Sequence, residues 1–145
     1  MDTGSKGKIL RGDVQPASAE QRLKELGIKL PVPPEPFGIY AEAVQTGNLL
    51  FLTGMLPTEG RAALNALAGA RQHLGSLDKV TRIVRLGVSV ATTGDVREQR
   101  RVADGASELL QDVFGKDKNP SRLVYGVASL PLGTPVELEF ILEVS

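Results

Sequence analysis

Toward the C-terminus, apolar and polar positions alternate residue by residue. Val136, Leu138, Phe140, Leu142 and Val144 fall on one side; Glu137, Glu139, Ile141 and Glu143 fall on the other. A period of two predicts a strand over 136–144 with its apolar side buried. The run Leu123 to Ala128 predicts the strand before it. There Leu123, Tyr125 and Val127 are the expected core set, with Arg122, Val124, Gly126 and Ala128 on the opposite face. Ser129 to Pro135 joins the two, so the simplest expectation is a hairpin with Arg122 near Glu143 and Ala128 near Glu137. A slip of one residue would exchange the faces.

Upstream, Val80 to Ala91 is rich in β-branched residues and predicts a long strand, bulged at Gly87. Tyr40 to Val44 and Leu49 to Thr53 flank the turn Thr46-Gly47-Asn48 and predict a first hairpin. Helical spacing replaces the period of two at Leu64, Leu67, Ala68 and Leu74, which predicts a helix over 62–74, interrupted in its stripe by Arg71 and stopped by Gly75. Val102, Ala106, Leu109, Leu110 and Val113 predict a second helix over about 96–114, capped by Asp95 and ended by Gly115. Ser18 and Gln21 have capping-box spacing ahead of Leu23 and Leu26, so a short helix is expected over about 19–26, stopped by Gly27. Pro31, Pro33, Pro34 and Pro36 then force an extended lead-in.

After that short helix the order is β-β-α-β-α-β-β, with no internal repeat. The expected fold is α+β, a mixed sheet with two amphipathic helices packed on one face. The chain divides into a flexible tail over 1–17, the short helix and Pro-rich lead-in over 18–36, and one domain over 37–145.

Composition narrows the chemistry. The 17 basic and 17 acidic residues cancel, which gives no support to nucleic-acid binding through a basic face. Arg97, Arg100 and Arg101 cluster, but beside Glu98 and Asp104 they read as a solvated helix face. With no cysteine, thiolate nucleophiles, disulfides and zinc–sulfur sites are excluded, and a single histidine, His73, makes a multi-histidine metal site implausible. No apolar run approaches the ~20 residues of a membrane span. Met1 to Ala17 has no apolar stretch and so does not read as a secretory signal. A cytoplasmic protein is the expectation.

The residue with a plausible chemical role is Arg122. It can form a cross-strand ion pair with Glu143, which contributes little if exposed. It can also act as an anion clamp, because a guanidinium grips a carboxylate through two parallel hydrogen bonds. The small and apolar residues around it on that face fit either a subunit interface or a solvated sheet face.

The run Asn119-Pro120-Ser121-Arg122-Leu123-Val124-Tyr125-Gly126-Val127-Ala128-Ser129-Leu130-Pro131, followed by Pro135-Val136-Glu137-Leu138-Glu139, resembles the C-terminal signature of the RidA/YjgF family. Gly38-Ile39-Tyr40, Thr46-Gly47-Asn48 and Leu50-Phe51-Leu52-Thr53-Gly54-Met55-Leu56-Pro57 are similar to its first hairpin, and Val102-Ala103-Asp104-Gly105-Ala106-Ser107 to the second helix of a subgroup. The similarity runs from about Phe37 to the C-terminus.

The resemblance implies a chorismate-mutase-like homotrimer with sites between subunits. It implies hydrolysis of reactive imines and enamines such as 2-aminoacrylate to a 2-keto acid and ammonia, without a metal or organic cofactor. The arginine matching Arg122 would hold the substrate carboxylate and the glutamate matching Glu137 would position water. Tyr40, Thr53, Gly54 and the Val124 backbone would line the cleft. A non-catalytic carboxylate binder and an endoribonuclease are the alternatives within the same family.

The expected hairpin register puts Glu137 about six residues from Arg122, roughly 20 Å along the sheet, so the two could share one small molecule only across a subunit boundary. Compared with the family pattern, Thr53-Gly54-Met55 replaces Ser-Gly-Gln, which is expected to make that wall apolar. Gly38-Ile39-Tyr40 replaces Gly-Pro-Tyr, Val124 replaces a common cysteine, and the segment between Pro57 and Arg61 is short.

Overall fold

The computed structural model describes residues 17–36, 38–56, 62–92 and 99–145. The tail expected over 1–17, the cap expected at Asp95 and the short segment between Pro57 and Arg61 lie outside these residues, apart from Ala17. The elements, in order, are α1 (Ala19–Glu25), β1 (Ala43–Thr46), β2 (Leu49–Met55), α2 (Ala62–Leu74), β3 (Val80–Ala91), α3 (Gln99–Phe114), β4 (Ser121–Val127) and β5 (Val136–Val144). Among the described residues the result is a mixed α+β fold of three α-helices and a five-stranded sheet. The first hairpin strand starts later than its pattern suggests, which leaves Tyr40 ahead of β1.

The sheet order is β1-β2-β5-β3-β4. β3 runs parallel to β4 and antiparallel to β5, so the final two strands are not neighbours. This overturns the expected hairpin and its register. Arg122 pairs with Leu86 of β3, and Glu143 faces Leu49 and Arg82 instead. The cause is the helix inserted between β3 and β4. Parallel strands need a crossover connection, and α3 supplies it, leaving β3 free to pair on its other edge with β5.

The faces of β4 are also reversed. Val124 packs against the core and Gly126 lies beneath Gln99 of α3, whereas Leu123 and Tyr125 are exposed on the far side. Both alternating sets of β4 are uncharged apart from Arg122, so polarity does not settle the phase. Steric fit under α3 does. A Cβ at position 126 would come within 2.8 Å of the Gln99 side-chain nitrogen. In β5 the phase is as expected, with Leu138, Phe140, Leu142 and Val144 buried.

α2 packs over β2 and β5, and α3 over β3 and β4. Leu50, Leu52, Ile83, Leu86, Val88, Leu110 and Val113 join the buried β5 residues in one core. The buried side of α3 is Ala103, Leu110, Val113 and Phe114, so Val102 is exposed rather than part of the stripe. The expected bulge at Gly87 is not there. Gly87 pairs regularly with Leu123 and Glu139, and the β3 irregularities fall between Val80 and Arg82 and between Ile83 and Arg85.

Arg71, the break in the α2 stripe, has a packing reason. Its Nη2 and Nε donate to the Glu20 carboxylate at 2.7 and 3.2 Å, and the Leu77 backbone N–H donates to the same carboxylate at 2.7 Å. This joint fastens α1, itself capped by Ser18, to α2 and the turn that follows it.

Asn65 is the polar residue in the described core. Its Nδ2 donates to the Leu56 carbonyl at 2.8 Å, tying α2 to the end of β2. Replacing Asn65 with alanine strands that carbonyl and should cost about 1–3 kcal/mol in urea unfolding. A loss below about 0.5 kcal/mol would show that the carbonyl finds another partner.

Candidate functional site

β2 does not run straight. Leu52 pairs with Phe140 and Met55 with Leu138, so an extra β2 residue is accommodated at Thr53-Gly54. Gly54 has φ of 70°, a left-handed conformation that glycine adopts without strain. Such a bulge re-aims side chains locally. Thr53 is exposed and its N–H donates to the Glu42 carbonyl at 3.0 Å. Tyr40 lies over Gly54, and a Cβ at that glycine would be 2.8 Å from the Tyr40 Oη.

Tyr40, Thr53, Gly54, Leu56, Pro131 and Glu137 line a cavity of about 370 Å³. A second depression continues across the sheet face from Thr53, Gly54 and Glu137 to Ser89, Tyr125 and Glu139. Hydroxyl groups from Thr53, Tyr40, Ser89 and Tyr125 can donate or accept hydrogen bonds here, and Glu137 can accept a proton. Glu139 is half-exposed and pairs with Arg85 at 3.1 Å.

Met55 does not form this wall. It is 1% exposed and faces the core, where its methyl group lies 3.9 Å from the place a Gly69 Cβ would occupy. The bulge turns Met55 inward, and Leu56 and Pro131 provide the apolar surface instead.

Arg122 and Val124 stand on the other side of the sheet. Arg122 Nη1 donates to Asp104 Oδ1 at 2.8 Å and to Ser107 Oγ at 3.0 Å, both on α3. Its expected partner Glu143 instead accepts from Thr81 Oγ1 at 2.7 Å. Arg122 aligns with Leu86 and Glu137 with Ser89, which separates them by three residues along β3 and by two strand spacings. That is about 10 Å in each direction, with the side chains on opposite faces. The 20 Å hairpin estimate is replaced by this geometry.

Thus Tyr40, Thr53, Gly54 and Glu137 gather in one cleft, while Arg122 and Val124 belong to the β4–α3 side. Sequence reasoning missed Ser89 and Tyr125 beside the cleft because it assigned β4 the wrong neighbour and face; Glu139 lies on the face of Glu137 as expected but was given no role there. It also missed Asp104 and Ser107 as partners of Arg122. Their i, i+3 spacing on a helix was the available signal.

No described helix is long and apolar enough to cross a membrane. The family model described as Endoribonuclease L-PSP matches residues 31–144. Protein TCP17 of Trypanosoma cruzi is 36% identical over 147 residues, covering 85% of this chain and 92% of the relative. A 2-iminobutanoate/2-iminopropanoate deaminase of Dermatophagoides farinae is 27% identical, with 79% of this chain and 92% of the relative covered. Among solved structures, Atu1372 of Agrobacterium tumefaciens superposes with a TM-score of 0.78 at 34% identity, covering 88% of this chain and 92% of that one.

Behind the cleft, burial and then the neighbouring Glu35 charge raise the Glu42 carboxyl above its ordinary value. The folded state therefore holds this proton more tightly than the unfolded state, and its advantage fades as pH rises through the carboxylate range. Glu42→Gln should match wild type near pH 3 and be the more stable protein at pH 7 in parallel denaturation series. A gap of constant size at both pH values would contradict the raised carboxyl.

Proposed function

Because the chain belongs to the RidA/YjgF family, whose model is described as Endoribonuclease L-PSP, we propose that it hydrolyses reactive 2-imino and enamine acids to 2-keto acids and ammonia in clefts shared between subunits of a homotrimer. The observation that carries this reading is the projection of Arg122 and Glu137 from opposite faces of one sheet. One chain cannot close both around a small molecule. Two chains can, because β4 is an edge strand and the exposed Leu123 and Tyr125 beside the Glu137 cleft offer apolar surface to a neighbour.

In this arrangement Arg122 holds the substrate carboxylate and fixes its orientation. The Val124 backbone lies on the same strand. Tyr40, Thr53 and Gly54 form the cleft on the Glu137 side. Glu137 of the partner subunit accepts a proton from water as the water oxygen bonds to the imine carbon. With the imine nitrogen protonated at the outset, this gives a neutral carbinolamine; Glu137 returns its proton to the amino nitrogen, ammonia leaves, and the hydroxyl proton passes to water, leaving the 2-keto acid and a free Glu137 carboxylate. An imine carbon is already electrophilic, so these steps need orientation, water and proton transfer.

The family description also names RNA cleavage. A formal charge of zero and 4% aromatic content fit poorly with single-stranded RNA binding, which uses basic grooves and stacking rings. This favours the small-molecule reading.

Light scattering after size exclusion should give three chain masses; a stable monomer at micromolar concentration would remove the shared cleft. For the chemistry, 2-iminopropionate is generated by an amino-acid oxidase in the presence of semicarbazide. Wild type should deplete the trapped imine, and Arg122→Ala should reduce that activity by about 100-fold or more. A wild type as inert as Arg122→Ala, yet still binding 2-ketobutyrate, would make the chain a carboxylate-binding protein and end the deaminase reading.

A further inference from the structure

We infer that Asp104 and Ser107 are positioning residues that fix which edge of the Arg122 guanidinium receives the substrate carboxylate, an inference that rests on the carboxylate-binding reading above. Arg122 lies on edge strand β4, and its side chain is 28% exposed. Both contacts from α3 fall on one nitrogen. Nη1 donates to Asp104 Oδ1 at 2.8 Å and to Ser107 Oγ at 3.0 Å, which uses its two hydrogens. The end-on fork formed by Nη1 and Nη2 is thereby closed to a ligand. The side-on fork formed by Nε and Nη2 keeps parallel hydrogens for a carboxylate, and among the described residues it has no hydrogen-bond partner.

The acceptors suit this task. Asp104 and Ser107 are three residues apart and therefore adjacent on one face of α3. The helix is fastened to the core through Ala103 and Leu110, which flank the pair and are 0% and 1% exposed. The guanidinium is thus referenced to a packed helix as well as to its own edge strand. Little folding stability is expected from the pair, because the Asp104 side chain is 53% exposed and an exposed ion pair contributes weakly.

Electrostatics and positioning predict opposite signs, which makes the inference testable. Removing the Asp104 charge alone should strengthen anion binding, since it leaves Arg122 less neutralised. Removing the acceptor should weaken binding, since the guanidinium loses its reference. Asp104→Asn keeps an acceptor oxygen and removes only the charge; Asp104→Ala removes both. Calorimetry with 2-ketobutyrate and imine kinetics on the full chain should therefore rank Asn at or above wild type. Ala should bind about tenfold or more weakly, mainly through KM. Ser107→Ala should fall between wild type and Asp104→Ala.

A second readout does not depend on activity. In ¹⁵N NMR spectra of the ligand-free protein, rotation about the Arg122 Cζ–Nη1 bond should be hindered in wild type and in Asp104→Asn, and freed in Asp104→Ala. If Asp104→Ala binds as tightly as wild type or more tightly while Arg122→Ala loses binding, positioning is overturned and the carboxylate reading survives. If Arg122→Ala itself binds 2-ketobutyrate like wild type, the carboxylate reading fails and takes this inference with it.

Discussion

Hydrogen bonding on both edges of β3 is the constraint on which the rest of the molecule depends. One edge pairs in parallel with β4 and the other antiparallel with β5. Parallel pairing requires the chain to cross over between β3 and β4, so α3 must lie across them. That placement determines which β4 side chains meet the helix. Gly126 accommodates Gln99, Val124 joins the core, and Arg122 reaches Asp104 and Ser107. The same central strand sets Ser89 beside Glu137 on the opposite face. Two chemically different surfaces therefore arise from one pairing pattern.

The bulge in β2 acts at a smaller scale. By absorbing one residue between Leu52 and Met55, it keeps both of those side chains in the core while displacing Thr53-Gly54 toward the cleft. Tyr40 then occupies the space a side chain at position 54 would need. Polar groups can sit in this cleft without loss of apolar contact beneath them. Leu56, 7% exposed, serves both environments, since it also lends its carbonyl to Asn65.

β5 was legible in the sequence because its two faces differ in charge. Glutamates alternate with large apolar residues, and only one phase buries the latter. β4 was not legible in the same way. Leu123 and Tyr125 look more like core residues than Val124 and Gly126, yet the close approach of α3 favours the smaller pair. Its partner strand was equally hidden, because pairing through a crossover is a long-range property and adjacent strands in sequence suggest a hairpin. Most helix and strand spans followed from periodicity and stop residues. Of the residues that motif resemblance proposed, Tyr40, Thr53, Gly54 and Glu137 line one cavity while Arg122 and Val124 lie on the other face; Met55 was misplaced because a bulge has no clear periodic signature.

The position of β5 has a consequence for how the sheet is made. β1 and β2 form one half, β3 and β4 the other, and β5 alone bonds to both. It is also the last of the five in chain order. During vectorial synthesis the N-terminal hairpin and the β3–α3–β4 crossover unit can each emerge and form locally, but neither has a hydrogen-bonded route to the other. Their shared core remains open to solvent until the alternating strand over 136–144 leaves the ribosome and closes the gap. Joining the halves therefore waits for β5, and truncating this one strand would divide the sheet rather than shorten it.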